Sequence, residues 1–378
     1  MKIVQIQKEK HTDWKYLTKK QPLQNPLVFV FGDRYLLEDE SIYEDVKKLF
    51  TGGHFVFGST SANIVGESVE EQAITITAIE FEKTQFIVKS TNIFDSLGKD
   101  CFENGNNLIK QFSTEGLKFI FVVSEGSFVN GSELTKGMSA ATQNKILITG
   151  GLCGDDDRFE KTIASYNEKP KPGEVIAIGF YGDTLEATFS IRGGWIPFGP
   201  ERVVTKSKAN VLYELDGKPA LDLYKKYLGE KSNQLPAAAL LYPLNVKVEG
   251  QKESVVRTIL NINEQDNTMI LAGDIPKNAT VQLMMSNVDK IASASGLAAK
   301  QALESRKNNP QLAILVSCIG RKLLLDQRVE EELEEVAEMV GDSTTLCGFY
   351  SYGEIGPFDG EKACQLHNQT MTITLISE

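Results

Sequence analysis

Histidine is scarce in this chain, with only His11, His54 and His367 among 378 residues. A Ser-His-Asp or Cys-His site would have to be built on one of these three, and no neighbouring residues support one. The sequence also lacks a Gly-x-Ser-x-Gly elbow, a Walker loop, a Gly-x-Gly-x-x-Gly turn after a strand, and a His-Glu-x-x-His pair. Five cysteines are scattered with no Cys-x-x-Cys pair, which reads as small buried hydrophobes in a reducing compartment. No apolar run approaches the roughly 18 residues of a membrane helix. The start, "MKIVQIQKEK", alternates like an edge strand and has no signal-peptide pattern. A formal net charge of −11 disfavours nucleic acid and acidic membrane surfaces. These absences give the expectation of a cytoplasmic protein, neither nucleic-acid-binding nor membrane-inserted.

What is present is repetition. "PLVFVFGD" (26–33), "KFIFVVSEG" (118–126) and "LAILVSCIGR" (312–321) read as strands, each followed by a helical stretch and a second strand rich in glycine. Those second strands lead to "HFVFGSTSANIVGE", "ILITGGLCGDD" and "TTLCGFYSYGEIG". An alternating strand then closes each unit: "AITITAIEF", "EVIAIGF" and "TMTITLI". Ser41 and Glu44 are spaced as a capping box for the first helix. Helices "SLGKDCFENGNNLIKQF" (96–112) and "DKIASASGLAAKQALES" (289–305) precede two of the units. The fold class expected is α/β, two related lobes with mixed sheets covered by helices, built from duplicated β-α-β-turn units. Segments 27–67, 119–155 and 312–356 should superpose, with Gly58, Gly154 and Gly348 at matching positions. Between the lobes, Gly-Gly-Trp and Pro-Phe-Gly-Pro turns break the strand pattern, and a boundary falls near Asp216 and Gly217.

Several residues invite chemistry. Gly151, Gly154, Gly348 and Gly353 either give tight strand-end geometry or expose backbone amides to a ligand in a cleft. Arg321 follows a buried strand, where a guanidinium can clamp a carboxylate or form a structural pair with Glu354. Arg321 with Glu354 or Asp155 would supply the cation and anion that an amino-acid zwitterion needs. Arg257 is a further candidate, and Tyr352 could wall the same cleft. The acidic run "GDDDRFEK" lacks the ligand spacing of a calcium loop, so Asp155 reads as a cap on backbone amides and no metal is expected. His367 is either a hydrogen-bonded structural residue or an iron ligand for a non-covalent haem, with Trp195, Phe198, Phe349, Tyr350 and Tyr352 as candidate walls.

Through "ITGGLCGDD", "GGWIPFGPERVVTKSKANVLYELDGKPALDLYKKYLG", "VVRTILNINEQDNTMILAGDIP", "VSCIGRKLLL", "GFYSYGEIGP" and "LHNQTMTITL", the sequence resembles bacterial FIST proteins over about residues 27–378. The resemblance implies an extension at 1–26 with an edge strand, a FIST N-type sensory domain at 27–217 and a FIST C-type domain at 218–378. It implies a sensor of small ligands, amino acids among them, acting in signal transduction. Some members of the family are haem proteins that sense nitric oxide and act on a histidine kinase in a two-component system. No kinase, receiver or DNA-binding segment is seen within these residues, so output is expected to pass through a separate partner. A small-molecule enzyme using the same cleft is the reading from another class.

Overall fold

The computed structural model describes residues 1–95, 100–304 and 306–378. The first four residues of the expected helix at 96–112, and Ser305 at the end of the other, lie outside the described residues.

Fifteen strands fall into three repeats of five. Repeat one holds β1 (Lys2–Glu9), β2 (Leu27–Gly32), β3 (His54–Ser59), β4 (Asn63–Val65) and β5 (Ala73–Glu80). Repeat two holds β6 (Gln85–Asn92), β7 (Leu117–Ser124), β8 (Leu147–Leu152), β9 (Ala164–Tyr166) and β10 (Glu174–Tyr181). Repeat three holds β11 (Glu186–Arg192), β12 (Leu312–Cys318), β13 (Thr345–Ser351), β14 (Gly353–Pro357) and β15 (Met371–Ser377). In each, the second and third strands run parallel, and the fifth lies antiparallel to the second with the first beyond it.

The fourth strand of every repeat leaves its own sheet. Strand β4 pairs with β13 of repeat three, β9 with β3 of repeat one, and β14 with β8 of repeat two. The exchange is cyclic, and backbone bonds repeat it where the strands turn over: Ser61 N donates to Tyr350 O (2.9 Å), Gly154 N to Ser59 O (2.9 Å) and Tyr352 N to Leu152 O (3.2 Å). The central strands are therefore buried on both faces, which explains their continuous apolar runs. One core cluster joins Phe29 and Phe31, Phe119 and Phe121, and Ile314 and Phe349 from the three repeats.

The α/β class with mixed sheets holds, and the duplicated β-α-β-turn plan is realised three times. The expected glycine register does not hold. Aligned on the ring of backbone bonds, Gly348 matches Gly150 and Phe57, while Gly154 matches Tyr352 and Ser61, and Gly58 matches Gly151. Gly150 (φ 150°) and Gly348 (φ 154°) share a left-handed backbone, and a Cβ on either would strike a carbonyl of the parallel neighbour, Val122 O or Leu315 O. Shared geometry, not the "LCG" string, marks the equivalent positions.

Helices cover the sheets: α1 (Glu40–Leu49), α2 (Cys101–Ile109), α3 (Gly131–Thr142), α4 (Val288–Glu304), α5 (Ile319–Leu325) and α6 (Glu331–Val340). The first is capped by Asp39, whose carboxylate accepts from Ser41 N at 2.9 Å, so the Ser41–Glu44 box is replaced by a cap two residues earlier.

Between β11 and α4 an eight-stranded sheet is inserted, running from Ile196 to Met285 with the helix Ala220–Leu228. It has its own core around Val204, Leu212, Leu221, Tyr224, Met269 and Val281. The strand Ile196–Lys208 runs through the Pro-Phe-Gly-Pro stretch with an irregularity between Phe198 and Arg202, where a full break was expected. Asp216 and Gly217, both with positive φ, form a hairpin turn inside this sheet.

Candidate functional site

The parallel pairs end in three related turns, and these are where an α/β fold places its ligands. In repeat one the turn is Asp33-Arg34-Tyr35. Arg34 is buried and donates to Asp155 (2.9 Å) and Glu160 (2.8 Å), both from repeat two. Arg158 joins Asp155 to Asp33 with bonds of 2.8 and 2.9 Å. Asp155 is wholly buried, and its carboxyl stays below the usual range although burial opposes this, because Arg34, Arg158 and the Lys161 amide outweigh the desolvation. Its amide contact is the cap expected of it; the two guanidiniums were not anticipated. This turn is filled.

In repeat three the turn is α5, and it is filled more completely. Arg321 is fully buried and faces Glu332 of α6, with Nε at 3.0 Å and Nη2 at 2.6 Å from one carboxylate oxygen. Its remaining donors reach Gly193 O (2.6 Å), Ile291 O (2.9 Å) and Ser295 Oγ (2.6 Å). Glu332 also accepts from Tyr350 Oη (2.6 Å) and Ser317 Oγ (3.0 Å). The ion partner of Arg321 is Glu332, not Glu354, and the guanidinium is fully buried among these groups. Glu354 belongs to a separate knot, accepting from Ser351 Oγ (2.6 Å), Thr370 N (3.1 Å) and Thr370 Oγ1 (2.8 Å). Burial pushes its carboxyl up to about 7 against those bonds.

Repeat two is different. Its turn runs from Glu125 to Gly131, and residues 126–131 line a cleft. The buried Glu125 carboxylate accepts from the amides of Ser127 (2.6 Å), Phe128 (2.9 Å) and Val129 (3.3 Å) and from Thr162 Oγ1, which itself accepts from Gly126 N (2.7 Å). Asn130 then caps α3, accepting from Ser132 N and Glu133 N. A cleft of about 490 Å³ remains beyond the loop. Its core wall is Gly126–Gly131, Leu152, Phe159 and Tyr352; its other wall is Asn210, Leu260, Asn261 and residues 271–273 of the inserted sheet. Phe159 and Tyr352 stack at 4.5 Å, held by Tyr352 Oη, which donates to Asp156 O (3.0 Å) and accepts from Phe159 N (3.1 Å). Glu160 is the charged residue of this lining.

Of the residues singled out in the sequence, Tyr352 alone lines this cleft. The four glycines serve packing. A Cβ on Gly151 would meet Val316 Cγ1 at 2.5 Å, one on Gly353 would meet Leu366 Cδ1 at 2.7 Å, and one on Gly154 would strike Ser61. The sequence reading passed over Phe159 and Glu160. A signal was present in "GDDDRFEK", where an aromatic residue interrupts an otherwise polar turn.

Arg257 lines another cleft, beside α3. His367 lies beside a third, of about 540 Å³. Its Nε2 is 2.9 Å from Gly356 O, the Phe358 ring meets it edge-on at 4.8 Å, and burial pushes its pKa down to about 4. The cleft is walled by Arg192, Asn245, Glu253, Gln301 and Asp359 as well as Trp195. Those polar and charged walls do not fit the two apolar faces of a haem. Nor do the expected aromatic walls come together: Phe349 and Tyr350 are fully buried in core clusters, and Phe198 belongs to the inserted sheet. No group of three or more His, Cys, Asp or Glu suited to a metal is found among the described residues. None of their helices is long and apolar enough to cross a membrane.

Comparison with known proteins matches the FIST N domain to residues 26–218 and the FIST C domain to residues 220–357. An uncharacterised protein of Mycobacterium tuberculosis is 24% identical over 212 residues, 53% of this chain and 55% of that protein. One of Methanocaldococcus jannaschii is 27% identical over 211 residues, 50% of this chain and 39% of its own. These alignments span about half or less of the relatives' length. Cyanuric acid hydrolase from A. caulinodans aligns over 93% of this chain and 90% of its own, at 6% identity and a TM-score of 0.38.

Proposed function

The chain belongs to the FIST family, recognised for small-ligand sensing in signalling, and we propose that its ligand occupies the cleft at the end of repeat two. The observation that carries this is the asymmetry among three equivalent turns. Two are filled by buried ion pairs, and the third opens into about 490 Å³ of space. The walls come from two separately cored bodies, the repeats and the inserted sheet, so a bound molecule bridges them. A ligand that binds the closed arrangement better shifts the population toward it, which is what a sensor requires. The Phe159–Tyr352 stack suits a flat group on the ligand, and Glu160 suits a neutral or cationic one; an amino-acid carboxylate would find no cation in this lining.

Output passes to a separate signalling protein, and a histidine kinase is the partner class that the family resemblance suggests. A net charge of −11 favours a partner surface with basic patches.

The test is calorimetric titration with a metabolite panel that includes amino acids. Ala272→Trp places a large side chain in the cleft wall and should remove binding of any hit while keeping the parent's melting temperature. A hit that binds Ala272→Trp and parent equally contradicts this site.

A further inference from the structure

A second cleft, of about 630 Å³, lies along α3, lined by Ser132, Lys136, Gln251, Arg257, Cys364 and Leu366 among others. Arg257 comes from the inserted sheet and is 6% exposed. Its Nε donates to Asp274 O (3.2 Å) and its Nη1 to Val256 O (3.3 Å) and Leu366 O (2.9 Å). All three acceptors are carbonyls. Among the described residues, Nη2 donates to nothing, and no carboxylate forms an ion pair with this guanidinium. The nearby Asp274 carboxylate instead contacts Lys136 Nζ at 3.2 Å.

This is an unusual state for a buried arginine. Arg321, fully buried, closes on Glu332; Arg257 has only neutral acceptors and a face left toward a cleft. Burial without an ionic partner pulls its pKa down to about 10, with Asp274 acting on it only through space. A buried charge in that condition is stabilised by any anion that can reach it.

We propose that this cleft binds a small oxyanion, a carboxylate or phosphate group, between Arg257 of the inserted sheet and Lys136 of α3. The site is separate from the cleft at the end of repeat two. Because its two cations come from different bodies, an occupant draws the inserted sheet onto the repeats. The bridge adds to contacts already there: Asp274 N donates to Ser132 Oγ at 3.2 Å and Gln369 Nε2 to Leu240 O at 2.8 Å.

The experiment is a thermal melt of the full chain against rising inorganic phosphate in one arm and succinate in the other, with chloride matching ionic strength. The parent should show a saturable rise in melting temperature with at least one anion, and the better arm identifies the group. Arg257→Gln should abolish the rise. Lys136→Gln, on the exposed rim, should keep the parent's unliganded melt and weaken the apparent affinity several-fold, which covers the event that Arg257→Gln fails to fold. A parent with no saturable response to either anion overturns the proposal, as does an unchanged response in Lys136→Gln or in a folded Arg257→Gln. Neither outcome bears on ligands of the other cleft.

Discussion

The turns after β7 and β12 leave equivalent strands and finish differently. After β12, Arg321 enters the core and a carboxylate from α6 meets it there. After β7, Glu125 folds back onto its own loop, and residues 126–131 line a cleft. The contrast shows how a repeat protein makes one site from three copies. The backbone is common, and the residues just beyond the strand decide whether a copy is sealed or open. A sealed copy contributes rigidity, since its buried guanidinium is held by a carboxylate and by acceptors from three further residues. The open copy contributes space, and the inserted sheet supplies its far wall.

That comparison breaks most visibly if the sealed turn is opened. Glu332→Ala leaves Arg321 buried without its ion and strips acceptors from Tyr350 and Ser317. A loss of about 3–5 kcal/mol is expected, read as a large fall in melting temperature or failure to fold. A variant that melts like the parent would show that the turn of repeat three is not sealed by this pair.

The next largest effect sharpens the comparison at β14, which crosses from repeat three into the sheet of repeat two. Glu354 and its register partner His367 are both buried there, and their titrations oppose one another. The Glu354 carboxyl rises from 4.5 to about 7, so between those values the unfolded chain loses its proton first and stability falls as pH rises. The His367 pKa falls from 6.5 to about 4, so between those values the unfolded chain binds the extra proton and stability rises with pH. In the parent the two slopes offset. Glu354→Gln should gain stability relative to the parent as pH rises from 4.5 to 7, and His367→Asn should lose it from pH 4 to 6.5. Each difference is on the order of 3 kcal/mol across its window. Denaturant melts at half-unit pH steps measure both, and two variants with slopes of the same sign would contradict the assignment.

The smallest effect belongs to the open end. Tyr352→Phe removes one hydroxyl that both donates to Asp156 O and accepts from Phe159 N, at a cost of about 1 kcal/mol. The fold should persist while binding of any hit weakens as the Phe159 wall loosens. Binding equal to the parent's would remove this wall from the site.

Much of the core was legible from the sequence. The apolar strands, their helices and the closing strands announced three units, because burial on both faces writes a continuous apolar run. The cyclic exchange was not legible: β4 and β9 are three residues each, too short to show a period. The glycine register was misread because a shared tripeptide is a weaker guide than the backbone position that forbids a Cβ. Arg321 was found and its partner missed, since nothing in "EELEE" distinguishes the buried Glu332 from the less buried glutamates beside it. The candidate site was the least legible part. Its two walls come from separate stretches of the chain, 126–160 with Tyr352 on one side and 210–273 on the other, and the space between them follows from what repeat two leaves unfilled.

Hydrogen exchange on the parent, with and without a saturating hit from the metabolite panel, compares the two turns in one measurement. New protection should concentrate at 126–131 and 258–273, the facing walls of the open cleft, with 317–325 unchanged because that turn is already sealed. Protection confined to 317–325, or absent from both walls of the cleft, would contradict a ligand site at the end of repeat two.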